Sequence, residues 1–401
     1  MAWVTDHRPT TEDLNACVQC GLCLPMCPTF RLTGRETASP RGRLHAMSAV
    51  DKGLVEVDET FAAMIDFCLG CRACEPVCPG LVPYGRALEG TRAEIDAQVP
   101  GRSRRNRFVV GQALGSRSLM RLGGWAVRVA QTLGLTSVAP TKYRGVATGL
   151  RALRGRGRSV VGHAGGTGTL GTVGLLAGCI QDEWFRPVNT AAVTLLESAG
   201  YAVGVPESQT CCGALAAHDG KADAADRYRE RNLEAFGGFD YLVATAAGCS
   251  AHLSDYDWPG GRPETLDVTV AVARAIENGH LPTTATSKGP IAIQDPCHLR
   301  HAQRVIGEPR SILEAAGYEV VETDPAGMCC GAAGMYTVMQ PETSDRLGAQ
   351  KADQVRATGV VKVASANPGC EMQLRSHLEA EYEIKHPIEW YLDALMAEDE
   401  V

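Results

Sequence analysis

Eight cysteines near the amino end of the chain are spaced as iron ligands. Cys17, Cys20, Cys23 and Cys27 follow the pattern C-x2-C-x2-C-x3-C, with Pro28 directly after. Cys68, Cys71, Cys74 and Cys78, followed by Pro79, repeat it 51 positions later. Thiolates are the ligands that iron–sulfur clusters use. At this spacing three close cysteines reach three irons of one cubane, and the fourth, on a chain turned by proline, reaches the other cluster. We therefore expect one [4Fe–4S] cluster on Cys17, Cys20, Cys23 and Cys78, and a second on Cys68, Cys71, Cys74 and Cys27. A pair of zinc sites would also use four thiolates each, but would leave the crossed fourth ligand without a purpose.

The other eight cysteines fall in two sets of four. Cys179, Cys211 and Cys212 recur as Cys297, Cys329 and Cys330, each 118 positions later, and Cys249 recurs as Cys370 after 121. The neighbourhoods recur too. Leu196-Glu-Ser-Ala-Gly-Tyr201 answers to Leu313-Glu-Ala-Ala-Gly-Tyr318, and Cys-Cys-Gly stands in both copies. A buried cysteine often acts as a small hydrophobe, which would explain one such residue but not four in each of two copies. Glycine after the cysteine pair lets the backbone approach a cluster closely. Helix amino-termini would stabilise its negative charge. These eight residues are expected to bind metal: one further iron–sulfur cluster between the copies, one per copy, or zinc. His218, His252, His298 and His301 lie close in sequence to these cysteines. His252, three positions after Cys249, is the candidate for a further ligand, and the others read as residues that orient ligands.

The elements that must position these groups can be read from pattern. Helices are expected from Pro40 to Val50, from Phe61 to Phe67 and from Tyr84 to Gln98, after a leading arm over residues 1–16. Each later copy reads as strand–cysteine, helix, strand–Cys-Cys-Gly, helix, strand–Gly-Cys. This is an α/β alternation with parallel strands. Sites in such sheets gather beyond the carboxyl ends of the strands, so three strand ends would bring each copy's four cysteines together. The expected fold class is α+β multidomain. An α-helical ferredoxin domain with two [4Fe–4S] clusters spans 1–100, and a basic helical connector spans 101–172. A duplicated α/β cysteine-rich (CCG) domain follows, with modules at 173–280 and 290–401 and a closing helix from Pro387. A chain of 401 residues accommodates such a division.

Composition excludes several classes. Sixteen cysteines in clusters of metal-ligand spacing, in so long a chain, are not a disulfide scaffold. The opening Met-Ala-Trp-Val-Thr-Asp-His-Arg lacks an apolar signal core, and there is no run of 18 uncharged apolar residues, so a reducing cytoplasm is expected. Net charge is −7, yet Ala97 to Gln181 carries 13 Lys or Arg and no Asp or Glu. Arg102, Arg104, Arg105 and Arg107 cluster there, and Arg117, Arg121 and Arg128 share one side of a helical wheel beside Leu119, Leu122, Trp125, Val129 and Leu133. Two readings stand: a helix docked on its own domain with solvated arginines, or one lying in a membrane interface. Gly123-Gly124 weakens the helix. Nucleic acid is disfavoured, since no recognition motif accompanies the charge. Gly166-Thr-Gly168-Thr-Leu-Gly171 matches G-x-G-x-x-G, but it precedes a strand, Val173 to Ala177, instead of following one, and reads as a linker.

The paired cluster motifs and two Cys-Cys-Gly modules together resemble the iron–sulfur subunit of glycolate oxidase (glycolate dehydrogenase). The resemblance extends to Pro40-Arg-Gly-Arg43, Cys68-Leu-Gly-Cys71-Arg-Ala-Cys74-Glu, Asp295-Pro-Cys297-His-Leu-Arg-His-Ala-Gln303, Cys329-Cys-Gly-Ala-Ala-Gly-Met-Tyr336 and Asn367-Pro-Gly-Cys370. It implies an FAD-containing dehydrogenase partner that oxidises glycolate, D-lactate or another 2-hydroxy acid. This chain would carry electrons onward to a membrane quinone or other acceptor, on the cytoplasmic face of the inner membrane. Related modules occur in glycerol-3-phosphate dehydrogenase and heterodisulfide reductase subunits. In the latter the module ends in C-x2-C, where this chain has Cys249-Ser-Ala-His252 and Cys370-Glu-Met-Gln373. That departure argues against a thiol–disulfide enzyme. A zinc-stabilised scaffold that assembles the flavoprotein is the remaining alternative.

Overall fold

The computed structural model describes residues 3–99, 101, 108–134 and 157–399. Arg102, Arg104, Arg105 and Arg107, and the last residues of the closing helix, lie outside the described residues.

The amino-terminal unit is helical. It comprises α1 (Thr11–Asn15), α2 (Pro28–Thr33), α3 (Pro40–Asp51), α4 (Glu59–Asp66) and α5 (Tyr84–Gln98). Local chemistry sets the starts. Ser39 accepts from Gly42 N at 2.9 Å ahead of α3, and Asp58 accepts from Phe61 N at 2.7 Å ahead of α4. Proline occupies the first turn of α2 and α3, where no N–H is needed. Leu44, Met47, Val50, Ile65, Leu88 and Ile95 form the core. The leading arm is pinned by the buried Glu94 carboxylate, which accepts from Val4 N and Thr5 N at 2.7 Å each.

A π-helical turn (Val109–Ala113) and α6 (Arg117–Thr132) follow. Helix α6 runs unbroken through Gly123-Gly124. Gly124 serves packing: a Cβ there would lie 2.2 Å from Glu183 Oε1.

The first cysteine module contains β1 (Ala164–Gly165), β2 (Thr172–Leu176), α7 (Cys179–Trp184), α8 (Arg186–Ala199), β3 (Ala202–Gly204), α9 (Ala214–His218), α10 (Ala222–Phe236), β4 (Tyr241–Ala244), α11 (Ala247–Ser254), β5 (Glu264–Asp267) and α12 (Val268–Glu277). The second contains β6 (Gly289–Gln294), a π-helical turn at His298–Ala302, α13 (Gly307–Ala315), β7 (Tyr318–Glu322), α14 (Tyr336–Met339), α15 (Pro341–Ala357), β8 (Lys362–Ser365), α16 (Pro368–His377), β9 (Glu383–Lys385) and α17 (Pro387–Asp399). The sheets run β1-β3-β2-β4-β5 and β7-β6-β8-β9, all parallel apart from the short β1, which pairs antiparallel with β3. The first sheet thus reaches back to Ala164, ahead of residue 173. Gly166 and Gly171, at φ +89° and +104°, turn the chain between β1 and β2, as the linker reading of this stretch requires. Helices α8 and α12 pack against α17 and α13 across a shared core that includes Leu195, Leu196, Val272, Ile312, Leu313 and Tyr391. The pairing of α12 with α13 and of α8 with α17 has the reciprocity of a two-fold relation between the copies.

Candidate iron–sulfur site

The two amino-terminal motifs wind alike. Gln19 and Gly21 in the first have φ of +57° and +84°, and the equivalent Gly70 and Arg72 have +66° and +59°. Left-handed residues at alternate positions curl the backbone into a nest whose amides can turn toward sulfur. Gly70 N donates to Cys68 Sγ at 3.4 Å. Two of the four positions are not glycine, and Gln19 and Arg72 hold a conformation that side chains disfavour. Arg41 Nη1 clamps Gln19 O at 3.2 Å, and the Arg72 guanidinium is held by Glu75 at 2.8 Å and Asp255 at 3.0 Å.

Cys78 lines the same concavity as Cys17, Cys20 and Cys23, and Cys74 is also on its wall. Cys27 is buried on the other side, close enough that its charge acts on both Cys71 and Cys74. Cys20 is exposed, whereas Cys27, Cys68, Cys71 and Cys74 are all buried.

The residues around this buried quartet fit an anionic metal cluster. Arg43 is wholly buried; its Nε donates to Met64 O at 3.0 Å and one terminal nitrogen to Thr29 Oγ1 at 3.2 Å. The other, Nη1, finds no partner among the described residues. Burial opposes this guanidinium's charge, but Cys68, Tyr84 and Cys27 beside it hold it protonated. Burial likewise pushes Cys68 up, yet Arg43 and Arg92 outweigh it and hold the thiol below its ordinary range. Cys71 and Cys74 are driven well above that range, first by burial and then by neighbouring thiols. Several buried thiolates at one place need cationic charge among them. Cysteine sulfurs with a spare guanidinium N–H outside them are the donor set of an iron–sulfur cluster.

In the cysteine modules the strand ends do what the alternation requires. Cys179, Cys211–Cys212 and Cys249 follow β2, β3 and β4, which are adjacent; Cys297, Cys329–Cys330 and Cys370 follow β6, β7 and β8. Cys179 Sγ lies 3.5 Å from Cys211 Sγ, Cys212 Sγ 3.2 Å from Cys249 Sγ, and Cys330 Sγ 3.0 Å from Cys370 Sγ. Gly213 and Gly331, which close the Cys-Cys-Gly turns, have φ of +85° and +87°. A side chain at Gly331 would also press on Ser344 O at 2.8 Å. All eight of these sulfur-bearing residues line one cavity of about 1140 Å³ between the modules, which Cys68 also borders.

The second module adjoins the amino-terminal unit. Leu69, Cys71 and Ala73 pack with Cys329, Tyr336 and Leu347, and Cys297 lies against the same cluster. Tyr336 Oη donates to Phe67 O at 3.2 Å. Arg92 joins the unit to the first module, donating to Cys68 O at 2.6 Å and to His218 O at 2.8 Å.

The four histidines separate by role. His298 Nδ1 lies 3.5 Å from Cys297 Sγ. Burial works against its charge, but the contact with Cys297 raises its pKa, and the Cys297 thiol is lowered in turn, chiefly by Cys329 and then by His298. His218 pairs with Glu89 at 2.7 Å, and its ring stands 5.3 Å from His298 and 6.2 Å from His252. His252 is half-buried and held neutral, its pKa pushed down to about 4 by desolvation, with Gly213 beside it. His301 is structural: it is buried, with Nε2 2.8 Å from Gly327 O.

Pattern reading overlooked Arg92, Glu89 and Lys351. The last is a buried lysine whose Nζ lies 2.7 Å from Asp324. Its signal was available, since Lys351 stands four positions from both Leu347 and Val355 on the buried stripe of α15.

Comparison with known proteins agrees with this arrangement. A 4Fe-4S dicluster domain matches residues 13–82, and a cysteine-rich domain matches twice, at 173–254 and 291–375. The probable glycolate oxidase iron-sulfur subunit of Bacillus subtilis is 32% identical, covering 94% of this chain and 91% of its own. The glycolate oxidase iron-sulfur subunit of Escherichia coli is 27% identical over 96% and 95% respectively. A fumarate reductase (CoM/CoB) subunit of Methanothermobacter marburgensis is 27% identical, over 92% of this chain and 69% of its own.

Proposed function

Because the chain belongs to the family of glycolate oxidase iron–sulfur subunits, we propose that it is the electron-transfer subunit of a flavin-dependent 2-hydroxy-acid dehydrogenase acting on glycolate. A flavoprotein partner oxidises the substrate, and the acceptor is a membrane quinone on the cytoplasmic face. D-lactate is the alternative substrate.

Cys17, Cys20, Cys23 and Cys78 would hold one [4Fe–4S] cluster and Cys27, Cys68, Cys71 and Cys74 the other. When bound, these supply one-electron acceptance and release. The eight module cysteines would hold further clusters, or zinc. Arg43, Arg92 and Gly70 N supply positive charge and hydrogen bonds at the buried quartet. Those are the levers that raise a cluster's potential over that of an exposed one.

One observation carries the reading. The exposed Cys20 shares a concavity with the buried Cys74, and Cys71 of the same quartet packs in one cluster with Cys329 and Cys297. The test is Cys74→Ala in the assembled complex. Flavin reduction by glycolate should persist and acceptor reduction should be lost; acceptor reduction at the wild-type rate would sink the proposal. Metal analysis separates the module alternatives. About eight irons per chain, as two cubanes supply, together with zinc would make the modules a scaffold, and iron well above that number would put clusters in them.

A thiol–disulfide reaction is the second reading, favoured by the closeness of Cys330 and Cys370. His252 and Gln373 stand where a further cysteine would be needed, and reduction of a disulfide substrate by the complex would revive it.

A further inference from the structure

Helix α6 is mounted in reverse. A surface helix of a soluble domain turns its apolar stripe to the core. In α6 the inward side carries Met120, which packs on the first module's core, and Gly124, which lies on Glu183. The large apolar residues point outward. Leu119 is 37% exposed, Leu122 60%, Trp125 61% and Leu133, just past the helix end, 67%. At 3.6 residues per turn these four fall within a sector of about 120° on the side opposite Met120 and Gly124. Arg121 is exposed on one flank of that sector, while Arg128 reaches back to the first module, its Nη2 2.7 Å from Glu183 Oε1. The helix is docked on its own domain, one of the two readings the sequence allows, but through Met120 and Gly124, which leaves the leucines and the tryptophan uncovered.

Charge identifies what covers this face. Helix α6 contains three arginines and no acid, inside an 85-residue stretch, Ala97 to Gln181, with 13 basic residues and no acidic one. We propose that α6 lies flat on an anionic lipid surface. Leu119, Leu122, Trp125 and Leu133 enter the acyl boundary, and Arg121 sits among the headgroups. A bilayer interface offers an apolar layer directly beneath negative charge, and tryptophan favours that depth. The inner side of the same segment has a function of its own. Leu114 and Met120 wall the cavity that holds the eight module cysteines. One helix thickness, about 10 Å, then separates the lipid from that cavity. The inference deepens the acceptor reading above and rests on it for its purpose: an apolar acceptor dissolved in the bilayer would meet the protein at this wall.

The test is co-sedimentation of the purified iron-loaded full chain with vesicles of phosphatidylcholine, with and without phosphatidylglycerol. Binding should require phosphatidylglycerol, weaken as salt is raised, and fall at least about tenfold in the double variant Leu122→Glu, Trp125→Glu. Both positions are exposed, so iron content and the thermal midpoint should match wild type. Absence of binding to the anionic vesicles overturns the inference. So does wild-type binding by the double variant, which would assign the face to a protein partner. The assay involves no turnover, so its failure leaves the relay reading standing. Conversely, unchanged acceptor reduction by Cys74→Ala would end the relay reading without touching vesicle binding.

Discussion

In the second cysteine module His298 and Lys351 bring positive charge to the thiols; 118 positions earlier the first module has Ile180 and Leu233. The chain path is the same in both copies, with three adjacent parallel strands delivering four cysteines. The consequences for the sulfurs differ. In the second module Cys297 is lowered by Cys329 and then His298. Cys330 is lowered by hydrogen bonds from Cys329 and Cys370, with a smaller contribution from Lys351. Cys329 and Cys370 of the second module are raised, as are Cys179, Cys211 and Cys212 of the first, where none of the three is lowered. Position follows charge, since the second module abuts Cys71 and the first lies beneath α6. The duplication kept the geometry of a ligand set in both copies while one copy acquired the cations.

The comparison can be broken most directly at Lys351. Its ammonium is the buried partner of Asp324, whose carboxylate also accepts from Ala326 N and Met328 N ahead of Cys329. Lys351→Met leaves that charge unpaired and should cost about 3–5 kcal/mol in denaturant unfolding. The matching change Leu233→Met should cost under about 1.5 kcal/mol. Equal losses would mean that the charge plays no special part in the second copy.

A second contrast sits at the start of the last helix of each module. Asp267 caps α12, accepting from Thr269 N at 3.0 Å, while His386 precedes α17. His386 is 2% exposed, its Nε2 has no partner among the described residues, and burial pushes its pKa down to about 3. An unfolded histidine takes up its proton near pH 6.5, so stability from this site is complete above that pH and is lost as pH falls toward 3. Between pH 7 and 5 the loss should be about 2 kcal/mol, and His386→Gln should abolish it in unfolding curves at the two pH values. Burial raises Asp267, so its contribution runs the other way, greatest in acid and lost as pH rises past the ordinary carboxylate range. An acid dependence unchanged by His386→Gln would remove this contrast.

The smallest effect sharpens the electrostatic claim. Where the module thiols hold a cluster, His298→Ala removes a donor beside Cys297 and should make a second-module cluster about 30–60 mV harder to reduce. Changing Ile180 to Ala should leave the first-module centre where it was. Redox titration followed by EPR reads both. Equal shifts would show that the potentials follow packing and not this charge.

Much of this was legible in the sequence, for identifiable reasons. Helix α5 spans the expected Tyr84–Gln98, α3 ends one residue past Val50 and β2 begins one residue before Val173. Their boundaries are set by local signals: proline, caps and apolar period. The thiol sets were legible because ligand spacing and duplication are one-dimensional patterns. Burial of charge is not. Arg43 sits among Leu44, Met47 and Val50 on the buried side of α3, and nothing local shows that its guanidinium ends beside Cys27 and Cys68. The orientation of α6 was likewise ambiguous from its wheel alone. It is fixed by Gly124 approaching Glu183, which stands 59 residues further along the chain.

The proposed crossing of the fourth cysteines also bears on synthesis. Under it Cys78 would join Cys17, Cys20 and Cys23, and it leaves the ribosome 51 residues after Cys27. At about 5–20 residues per second the first motif waits roughly 3–10 s with three ligands and no fourth. On that assignment neither site is complete until the second motif is translated, so metal loading would act on a nearly completed amino-terminal unit. A nascent chain stalled anywhere between the motifs would present open, oxidisable thiols to the cell.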